Sequence, residues 1–502
     1  MLKNRGLSKR YGIVIYDSAL MSSLDKSSVR EEIDHLKAQF EQLSTEDKLS
    51  SEAKVLFNSL LLIVDLILSI FLERQTRKNS RNSSLPSSQT DKDESALPLT
   101  GSHGKGKHLR GQTARNRSQR ETVTLAPVEH CDVCGEPLDK IACQHIERRT
   151  KIDIVFEKVI EHVDAEVKQC PNCDATVKGQ FPADFPGPRQ YGDGLKAFAI
   201  NLLVTQMVSL QRAQQLIQSI IGECLAEATL LNFIRRLYQA LERWEAQAIE
   251  QLLTMPAMHV DETSLRVDGK NHWIHVYAAG DITVKRLHRK RGTEAIEDIN
   301  IIPRYGGKAI HDCWASYLAY DHLDHGLCGS HLLRELAFII ETNGYAWARN
   351  MKRLLQDTAA KVSAREAKQL TDTELANLQN RYRNILTRGD KELPALPQRP
   401  TGKRGRLAKS DAHNLWERLK KHEAAVLLFA RDPHVAFTNN RAERDLRMTK
   451  VKQKVSGCFR TTLYANAYCR ISSYLQTMAS KGYNPLIAIQ MALADEIPLR
   501  GE

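Results

Sequence analysis

Met258-His-Val-Asp-Glu-Thr263 opens the stretch that decides the fold, and two segments follow it: His272-Trp-Ile-His-Val-Tyr-Ala-Ala279 and Ile282-Thr-Val-Lys-Arg-Leu-His288. All three are short and rich in apolar residues, which is typical of β-strands. Gly280-Asp281 lies between the second and the third and is a turn signal. The pattern therefore predicts three consecutive antiparallel strands, the first of which carries an aspartate, Asp261.

Two further acidic residues occur in the elements that come next. A helical stretch over residues 293–300 leads to Lys308-Ala-Ile-His-Asp312, a short strand that ends in a second aspartate. Much later, Thr438-Asn-Asn-Arg-Ala-Glu443-Arg opens a helix that carries a glutamate. Each acid alone has a simpler structural explanation. Asp261 can close a strand, Asp312 can cap a helix, and Glu443 can pair with Arg447.

Taken together, the three acids match a site for phosphoryl transfer. Such a site holds two divalent cations ~3.5–4 Å apart between carboxylates from separate elements. Basic residues surround these acids: residues 285–291 contain five Lys or Arg, and residues 441–460 contain seven against two acids. This charge would attract a polyanion towards a metal held by carboxylates. From these basic segments, the candidates for DNA contact are Arg291, Arg441, Arg444, Lys450, Lys452 and Lys454.

The overall composition is that of a globular protein with a basic surface. The chain has 502 residues, of which 42% are hydrophobic and 26% charged, and its net charge is +12. These values exclude a fibrous chain and a chain that is disordered throughout. The most apolar stretch, residues 55–72, is interrupted by Asn58 and Asp65, and the start of the chain lacks the apolar run of a secretory signal. We therefore expect no membrane span, and a cytoplasmic, nucleoid-associated protein.

The N-terminal part of the chain contains two segments of different character. Apolar residues recur every three or four positions over residues 27–73, which predicts a helix that packs on its own domain or in a coiled coil. Residues 74–120 are polar, with eleven Lys or Arg and three acids, a net charge of +8. This segment is expected to be a disordered linker, and either a passive spacer or an arm that follows DNA phosphates.

Two Cys-x-x-Cys pairs indicate a structural zinc site. Each pair is followed by turn-prone residues and can form a knuckle that supplies two thiolates. We predict that a zinc ribbon binds one Zn²⁺ through Cys131, Cys134, Cys170 and Cys173. The alternating segment from Lys151 to Ile160 is predicted to form ribbon strands. Three further residues compete as ligands: His130, Cys143 and His145.

A Cys-x-x-His phrase, Cys328-Gly-Ser-His331, precedes another predicted helix. It could supply half of a second zinc site, but no second half is evident in the sequence. We favour a position for His331 near the active site or on DNA, with Arg334 on the same helix as a further DNA contact. Glu335 follows on that helix and is an alternative to Glu443 as the third acid.

These motifs resemble the DDE transposases of the insertion-sequence-66 family. The resemblance extends from about residue 78 to residue 490 and is most specific in two long phrases, Leu327-Cys-Gly-Ser-His-Leu-Leu-Arg-Glu-Leu336 and Thr438-Asn-Asn-Arg-Ala-Glu-Arg444. Four shorter phrases and the two cysteine pairs agree with it. The shorter phrases are Asn79-Ser-Arg-Asn-Ser-Ser-Leu-Pro-Ser-Ser88, His259-Val-Asp-Glu-Thr263, Arg291-Gly292 and His311-Asp-Cys-Trp-Ala-Ser-Tyr317.

The resemblance implies an α/β fold with a ribonuclease-H-like core, and it assigns the DDE triad to Asp261, Asp312 and Glu443. These residues would hold two Mg²⁺ or Mn²⁺ ions that serve to cleave the ends of a mobile element and to join the freed 3′-hydroxyl to target DNA. The substrate would be double-stranded DNA at the element ends and the target. Joining two ends implies a homo-oligomer, and the family suggests accessory transposition proteins.

Seven segments are expected along the chain. They are an N-terminal helical segment for oligomerisation (1–73), the basic linker (74–120), the zinc ribbon (121–180), a helical DNA-docking region (181–253), the first part of the core (254–345), a basic helical insertion that grips DNA or is merely solvated (346–430), and the second part of the core with C-terminal helices (431–502). Two other functions stay open: a catalytically inactive DNA-binding regulator, and a metal-dependent nuclease without strand transfer.

Overall fold

The computed structural model describes residues 123–395 and 409–497, together with Leu60. Apart from Leu60, the predicted N-terminal helix and the basic linker lie outside the described residues. The described residues divide into two units. A sheet unit comprises residues 123–330, 358–375 and 422–497, and a helical unit comprises residues 331–357, 376–395 and 409–421.

The described residues form a mixed α/β structure. The strands are β1 (Val167–Gln169), β2 (Thr176–Lys178), β3 (Ala257–Val267), β4 (Lys270–Ala279), β5 (Ile282–His288), β6 (Lys308–His311) and β7 (Asp324–Leu327). The α-helices are α1 (Asp193–Ile200), α2 (Leu210–Ile221), α3 (Glu227–Ala240), α4 (Glu242–Leu253), α5 (Thr293–Ile299), α6 (Gly329–Asn343), α7 (Ala346–Ala364), α8 (Asp372–Glu392), α9 (Asp411–Lys421), α10 (Glu423–Arg431), α11 (Asn440–Ser456), α12 (Thr462–Ser480) and α13 (Pro485–Leu493).

A five-stranded sheet with the strand order β5-β4-β3-β6-β7 forms the centre of the sheet unit. β3, β4 and β5 are antiparallel neighbours, which confirms the predicted meander, and β6 pairs parallel with both β3 and β7. β3 extends beyond the segment quoted above and ends at Val267. The two-residue loop Asp268-Gly269 then connects it to β4. Both turn residues have positive φ angles, 49° and 68°, as a two-residue hairpin loop requires.

The register of the strands fixes which side chains share a face of the sheet. Asp261 lies opposite Val276, and Val276 lies opposite Lys285, so these three point to one face while Glu262 points to the other. Contacts of β5 identify the helices on each face. Lys285 Nζ donates to Ser472 of α12 on the Asp261 face, and Arg286 donates to Glu245 of α4 on the opposite face.

Helix α12 also covers the outer edge of β5. The N–H of Thr283 donates to Thr477 Oγ1 at 3.0 Å, and the N–H of Lys285 donates to Ser473 Oγ at 2.8 Å. Two residues of a strand span roughly 6.6 Å, and four residues of a helix span roughly 6 Å. Hydroxyl groups four residues apart on α12 therefore have nearly the same spacing as N–H groups two residues apart on β5. The edge is therefore paired without another strand.

The helical unit packs around aromatic side chains. Trp347, Tyr382 and Leu419 are fully buried, and the Tyr382 hydroxyl donates to Leu419 O at 2.8 Å. Gly389 of α8 allows two tryptophans to approach closely, because a Cβ there would lie 2.9 Å from Cγ of Trp347 and 3.1 Å from Cδ1 of Trp416. A larger residue at this position would force the packed rings apart.

The segment between the two cysteine pairs differs from the prediction. Residues 151–160 form no strand, and several of their apolar side chains are exposed, among them Ile152 and Val155. The alternating pattern was a correct description of the sequence but a wrong prediction of pairing, because in the described residues no neighbouring segment pairs with this one. Among the residues that the structure describes, the only strands close to a cysteine pair are β1 and β2, which form a short hairpin.

None of the helices within the described part of the chain is long and apolar enough to cross a membrane.

Candidate active site

Three elements of the sheet unit carry the three predicted acids. Asp261 lies in the middle of β3, and Asp312 directly follows β6, which pairs with the start of β3 through His259 and Ile310. Glu443 lies in the first turn of α11, the helix that packs on β3 and β4. The fold thus brings residues that are far apart in sequence to one region of the sheet.

The pKa of Asp261 reflects the acids around it. Burial raises the pKa of Asp261 well above its ordinary value, and the charges of Glu262, Asp312 and Glu443 raise this pKa further. The N–H of Glu262 acts in the opposite direction, because it donates to Asp261 Oδ1 at 2.8 Å and stabilises the carboxylate. Since repulsion between like charges weakens with distance, the three predicted acids lie in one neighbourhood.

Backbone geometry holds the Asp312 carboxylate in place. The N–H of Trp314 donates to Asp312 Oδ1 at 3.2 Å, and the residue between them, Cys313, has a φ angle of 70°. Such a conformation is uncommon for a residue with a side chain and often occurs at functional sites. Turns rather than a helix follow Asp312, so its carboxylate caps a local turn and does not cap a helix.

Glu262 is a buried acid that the sequence interpretation did not single out. Its Oε1 accepts two hydrogen bonds from Arg291, at 2.8 and 2.6 Å, and its Oε2 accepts one from the Tyr317 hydroxyl at 2.7 Å. Burial, with the charge of Asp312, raises the pKa of Glu262 to about 7, although Arg291 and Tyr317 lower it. The signal in the sequence was the Asp-Glu pair within a strand, which points two acids to opposite faces.

Arg291 is held between aromatic rings as well as by Glu262. Its guanidinium carbon lies 5.0 Å from the ring centre of Trp273 and 4.2 Å from that of Trp314, distances typical of cation–π contacts. The side chain is still 37% exposed. Arg291 therefore neutralises a buried acid beside the site, and part of its guanidinium remains open to solvent.

The five residues of α11 that were predicted to contact DNA fall into two groups. Three of them donate to backbone carbonyls and tie the helix to its surroundings: Arg441 to Gly280 and Ile282, Lys450 to Ser264, and Lys452 to Leu203. Arg444 and Lys454, by contrast, are exposed. The first group fixes the position of α11, and the second presents positive charge on its outer surface.

The remaining predicted residues of this part of the chain belong to the helical unit. His331 and Arg334 are half-buried residues in the first turns of α6. Glu335 forms an ion pair with Arg418 of α9, so its carboxylate already has a cationic partner. The charge of Glu443 is among those that raise the pKa of Asp261.

The two cysteine pairs have the same local geometry. The N–H of Cys131 donates to Glu136 O and the N–H of Cys170 to Ala175 O, both at 2.9 Å. The fifth residue of each knuckle, Gly135 or Asp174, has a positive φ angle and donates its N–H back to the first cysteine's carbonyl. Backbone N–H groups lower the pKa of Cys131 and of Cys170 in equivalent ways.

The knuckles form separately in this structure. Within the described residues, no three of the four sulfurs of Cys131, Cys134, Cys170 and Cys173 lie within 4.8 Å of one another. Of the competing ligands, the exposed Cys143 donates its thiol to His145 O at 3.2 Å. Each knuckle therefore has the form of half a tetrahedral thiolate site.

A comparison with protein-family models decides the identity of the chain. The model described as "Transposase IS66 family" matches residues 189–467, more than half of the 502 residues. The chain belongs to the IS66 transposase family. The match includes Asp261, Asp312 and Glu443 and begins after both cysteine knuckles. A comparison with curated proteins gave no match.

Membership of the IS66 family bears on the general class of activity. The family suggests that this chain acts as a transposase, a nucleic-acid-processing enzyme that binds DNA and uses divalent metal. The basic outer surface of α11, beside a cluster of carboxylates, agrees with a polyanionic substrate.

Proposed function

We propose that this IS66-family protein is a DDE transposase that cleaves the ends of a mobile element and joins the 3′-hydroxyl to target DNA. One observation carries the proposal: Asp261 in β3, Asp312 after β6 and Glu443 on α11 come from three elements of one sheet unit, and the charges of Asp312 and Glu443 both raise the pKa of Asp261. A cluster of acids beside exposed basic residues suits a metal-dependent reaction on a phosphate backbone.

The proposed fold class is a ribonuclease-H-like core with a helical insertion. The strand order β5-β4-β3-β6-β7 supports it, because three antiparallel strands precede two parallel ones and the longest strand is central. The helices from α6 to α9 lie in sequence between Asp312 and Glu443, as an insertion before the third acid would.

The three acids suit Mg²⁺ or Mn²⁺. Carboxylate oxygens are the ligands that these hard cations prefer, and a bound cation would relieve the repulsion between Asp261, Asp312 and Glu443. Asp261, Asp312 and Glu443 would hold such ions, which would supply activation of the attacking oxygen and stabilisation of the leaving oxygen of a phosphodiester. The protein holds the carboxylates: the N–H groups of Glu262 and Trp314 orient Asp261 and Asp312.

DNA contact is proposed for the exposed cations near these acids. Arg444 and Lys454 present charge on the outer surface of α11, and the solvent-exposed part of Arg291 lies beside Glu262. Arg441, Lys450 and Lys452 position α11 through backbone carbonyls and would contribute their field more than direct contacts. His331 and Arg334 of α6 remain candidates for contact with DNA.

A structural Zn²⁺ is proposed for the cysteine knuckles. Their equivalent turn geometry supports this, because in each knuckle the sulfur of the first cysteine accepts from backbone N–H groups at the same two positions. Such a ribbon would contribute to recognition of the element ends.

A homo-oligomer is proposed because two element ends must be brought together before they are joined. Accessory transposition proteins and association with the nucleoid belong to the same proposal.

The proposal is tested with a plasmid that carries the native flanks of the gene. Wild-type protein and the Asp312→Asn variant are incubated with the plasmid and Mg²⁺, with and without the proteins encoded beside the gene, and the products are separated on a gel. Excised and joined products from the wild type alone would support a transposase. Nicks without joining would indicate a nuclease, and binding without any change in the DNA by either protein would indicate a regulator.

A further inference from the structure

Asn439 is the residue that precedes α11, and both the nitrogen and the oxygen of its side-chain amide form hydrogen bonds. It is buried, with 1% of its surface exposed. Its Nδ2 donates to Val260 O at 2.8 Å, and its Oδ1 lies 2.9 Å from Nδ1 of His259. Because the carbonyl of Val260 can only accept, the amide nitrogen must face it, and the ring nitrogen of His259 must then donate to Oδ1.

The backbone of Asn439 makes two further connections. Its N–H donates to Cys328 Sγ at 3.1 Å, and the N–H of Cys328 donates to His311 O at 2.8 Å. Its carbonyl accepts the N–H of Glu443 at 3.3 Å. Side chain and backbone together therefore join α11 to β3, and through Cys328 to the end of β6.

Each of these connections ends beside one of the three acids. Val260 directly precedes Asp261, His311 directly precedes Asp312, and Glu443 is itself the partner of the Asn439 carbonyl. We propose that Asn439 is a positioning residue that sets the spacing of the three carboxylates and thereby the affinity of the site for divalent metal. The inference deepens the proposed function and rests on it.

Neither aspartate nor leucine could form the same pair of hydrogen bonds at this position. Aspartate would place a carboxylate oxygen against Val260 O, where both atoms accept and neither donates. Leucine has a similar shape but leaves Val260 O and the ring nitrogen of His259 without this partner. Loss of a group that orients metal ligands typically lowers metal affinity by 10–100-fold.

The test measures binding of metal alone to the full-length protein. Mg²⁺ and Mn²⁺ are titrated into wild type and Asn439→Leu, and thermal stabilisation gives the half-saturating concentration. Tyr474→Phe is the matched control, because it is also nearly isosteric and also removes a buried hydrogen bond, the one from α12 to Ala488 O of α13, two helices that carry none of the acids. We expect half-saturation to rise tenfold or more in Asn439→Leu and less than twofold in the control.

A second variant removes one of the two side-chain hydrogen bonds and keeps the inference testable if Asn439→Leu does not fold. His259→Phe removes the partner of Oδ1 and keeps the bond to Val260, so it should raise half-saturation in the same direction by a smaller factor. Unchanged half-saturation in the folded variants would overturn the inference, whatever their melting temperatures. If wild-type protein is not stabilised by metal, or Asp261→Asn is stabilised equally, the metal site itself is wrong and the proposed function fails with it.

Discussion

At the scale of single residues, the site concentrates acidic side chains, and the two neighbours Asp261 and Glu262 have different surroundings. Glu262 has Arg291 and Tyr317 as partners, whereas Asp261 accepts a backbone N–H and is repelled by three neighbouring acids. Such an arrangement costs stability in the metal-free protein, and under the proposed function a bound cation would offset that cost. Substituting a residue that is retained for function in this way is expected to increase the stability of the protein.

Asp261→Asn should therefore separate stability from function. The amide removes one charge from the cluster, so the metal-free variant is expected to be more stable than wild type by about 1 kcal/mol, while strand cleavage falls below detection. Unfolding in denaturant without metal and a cleavage assay with Mg²⁺ would measure the two effects. A metal-free variant less stable than wild type would contradict the view that repulsion dominates at Asp261.

The lowered pKa of the buried Lys285 predicts that the stability of the protein rises with pH above neutrality. Burial lowers the pKa of this fully buried lysine to about 8, against the opposing effect of the Asp445 charge. Its ordinary pKa is about 10.4, so between these values the unfolded chain binds more protons than the folded chain. Stability should then rise with pH above 8, by up to about 1.4 kcal/mol per pH unit from this residue. Below pH 8 the burial of charged Lys285 lowers the free energy of unfolding by a constant amount.

The measurement compares wild type with Lys285→Met from pH 7 to pH 10. The variant is expected to be the more stable protein at pH 7, and its advantage should shrink as the pH rises above 8. Lys270→Met, at an exposed position in β4, controls for the loss of a surface charge. A difference between wild type and Lys285→Met that stays constant over this range would show that Lys285 does not titrate there.

At the scale of elements, β5 and α12 depend on each other through hydroxyl groups. Ser473→Ala leaves the buried N–H of Lys285 without this partner, which should lower the free energy of unfolding by about 1–3 kcal/mol. Ser480→Ala, at an exposed position on the same helix, is expected to change it by less than about 0.5 kcal/mol. Equal effects of the two substitutions in a denaturant titration would argue against a role for the hydroxyl at the edge.

Local patterns predicted the elements well and their partners less well. The three strands of the meander and the helix after them were predicted because apolar runs and a turn signal mark them. Asp268-Gly269 is an equally strong signal for the β3–β4 hairpin. The segment from Lys151 to Ile160 was predicted to form strands, but alternation alone does not supply a neighbour to pair with.

The candidate site was predictable in part for the same reason. Asp261, Asp312 and Glu443 could be selected because each sits at a recognisable place in a strand or helix. Their convergence depends on strand order and on the packing of α11, which no local pattern encodes. The roles of Glu262 and Asn439 depend on contacts between elements far apart in sequence, and so they emerged only from the three-dimensional arrangement.

At the scale of the whole molecule, the two cysteine knuckles should act as one site if they bind Zn²⁺. Cys131→Ser and Cys170→Ser remove one thiolate from different knuckles, yet each is expected to reduce bound zinc from about one ion per chain to nearly none, because tetrahedral binding needs both pairs. Metal content of the purified proteins would measure this. Cys143→Ser is the matched control and should retain the ion; its loss there would instead make Cys143 a ligand.

The covered edge of β5 has a consequence for how the chain is made. Thr477 lies 194 residues after Thr283, whose N–H it pairs. At roughly 5–20 residues per second, the ribosome needs roughly 10–40 s to synthesise that interval, and for this time β5 exists without the helix that will cover it. A chain interrupted there would display a bare strand edge, so nascent chains are expected to need protection from one another until the last hundred residues emerge.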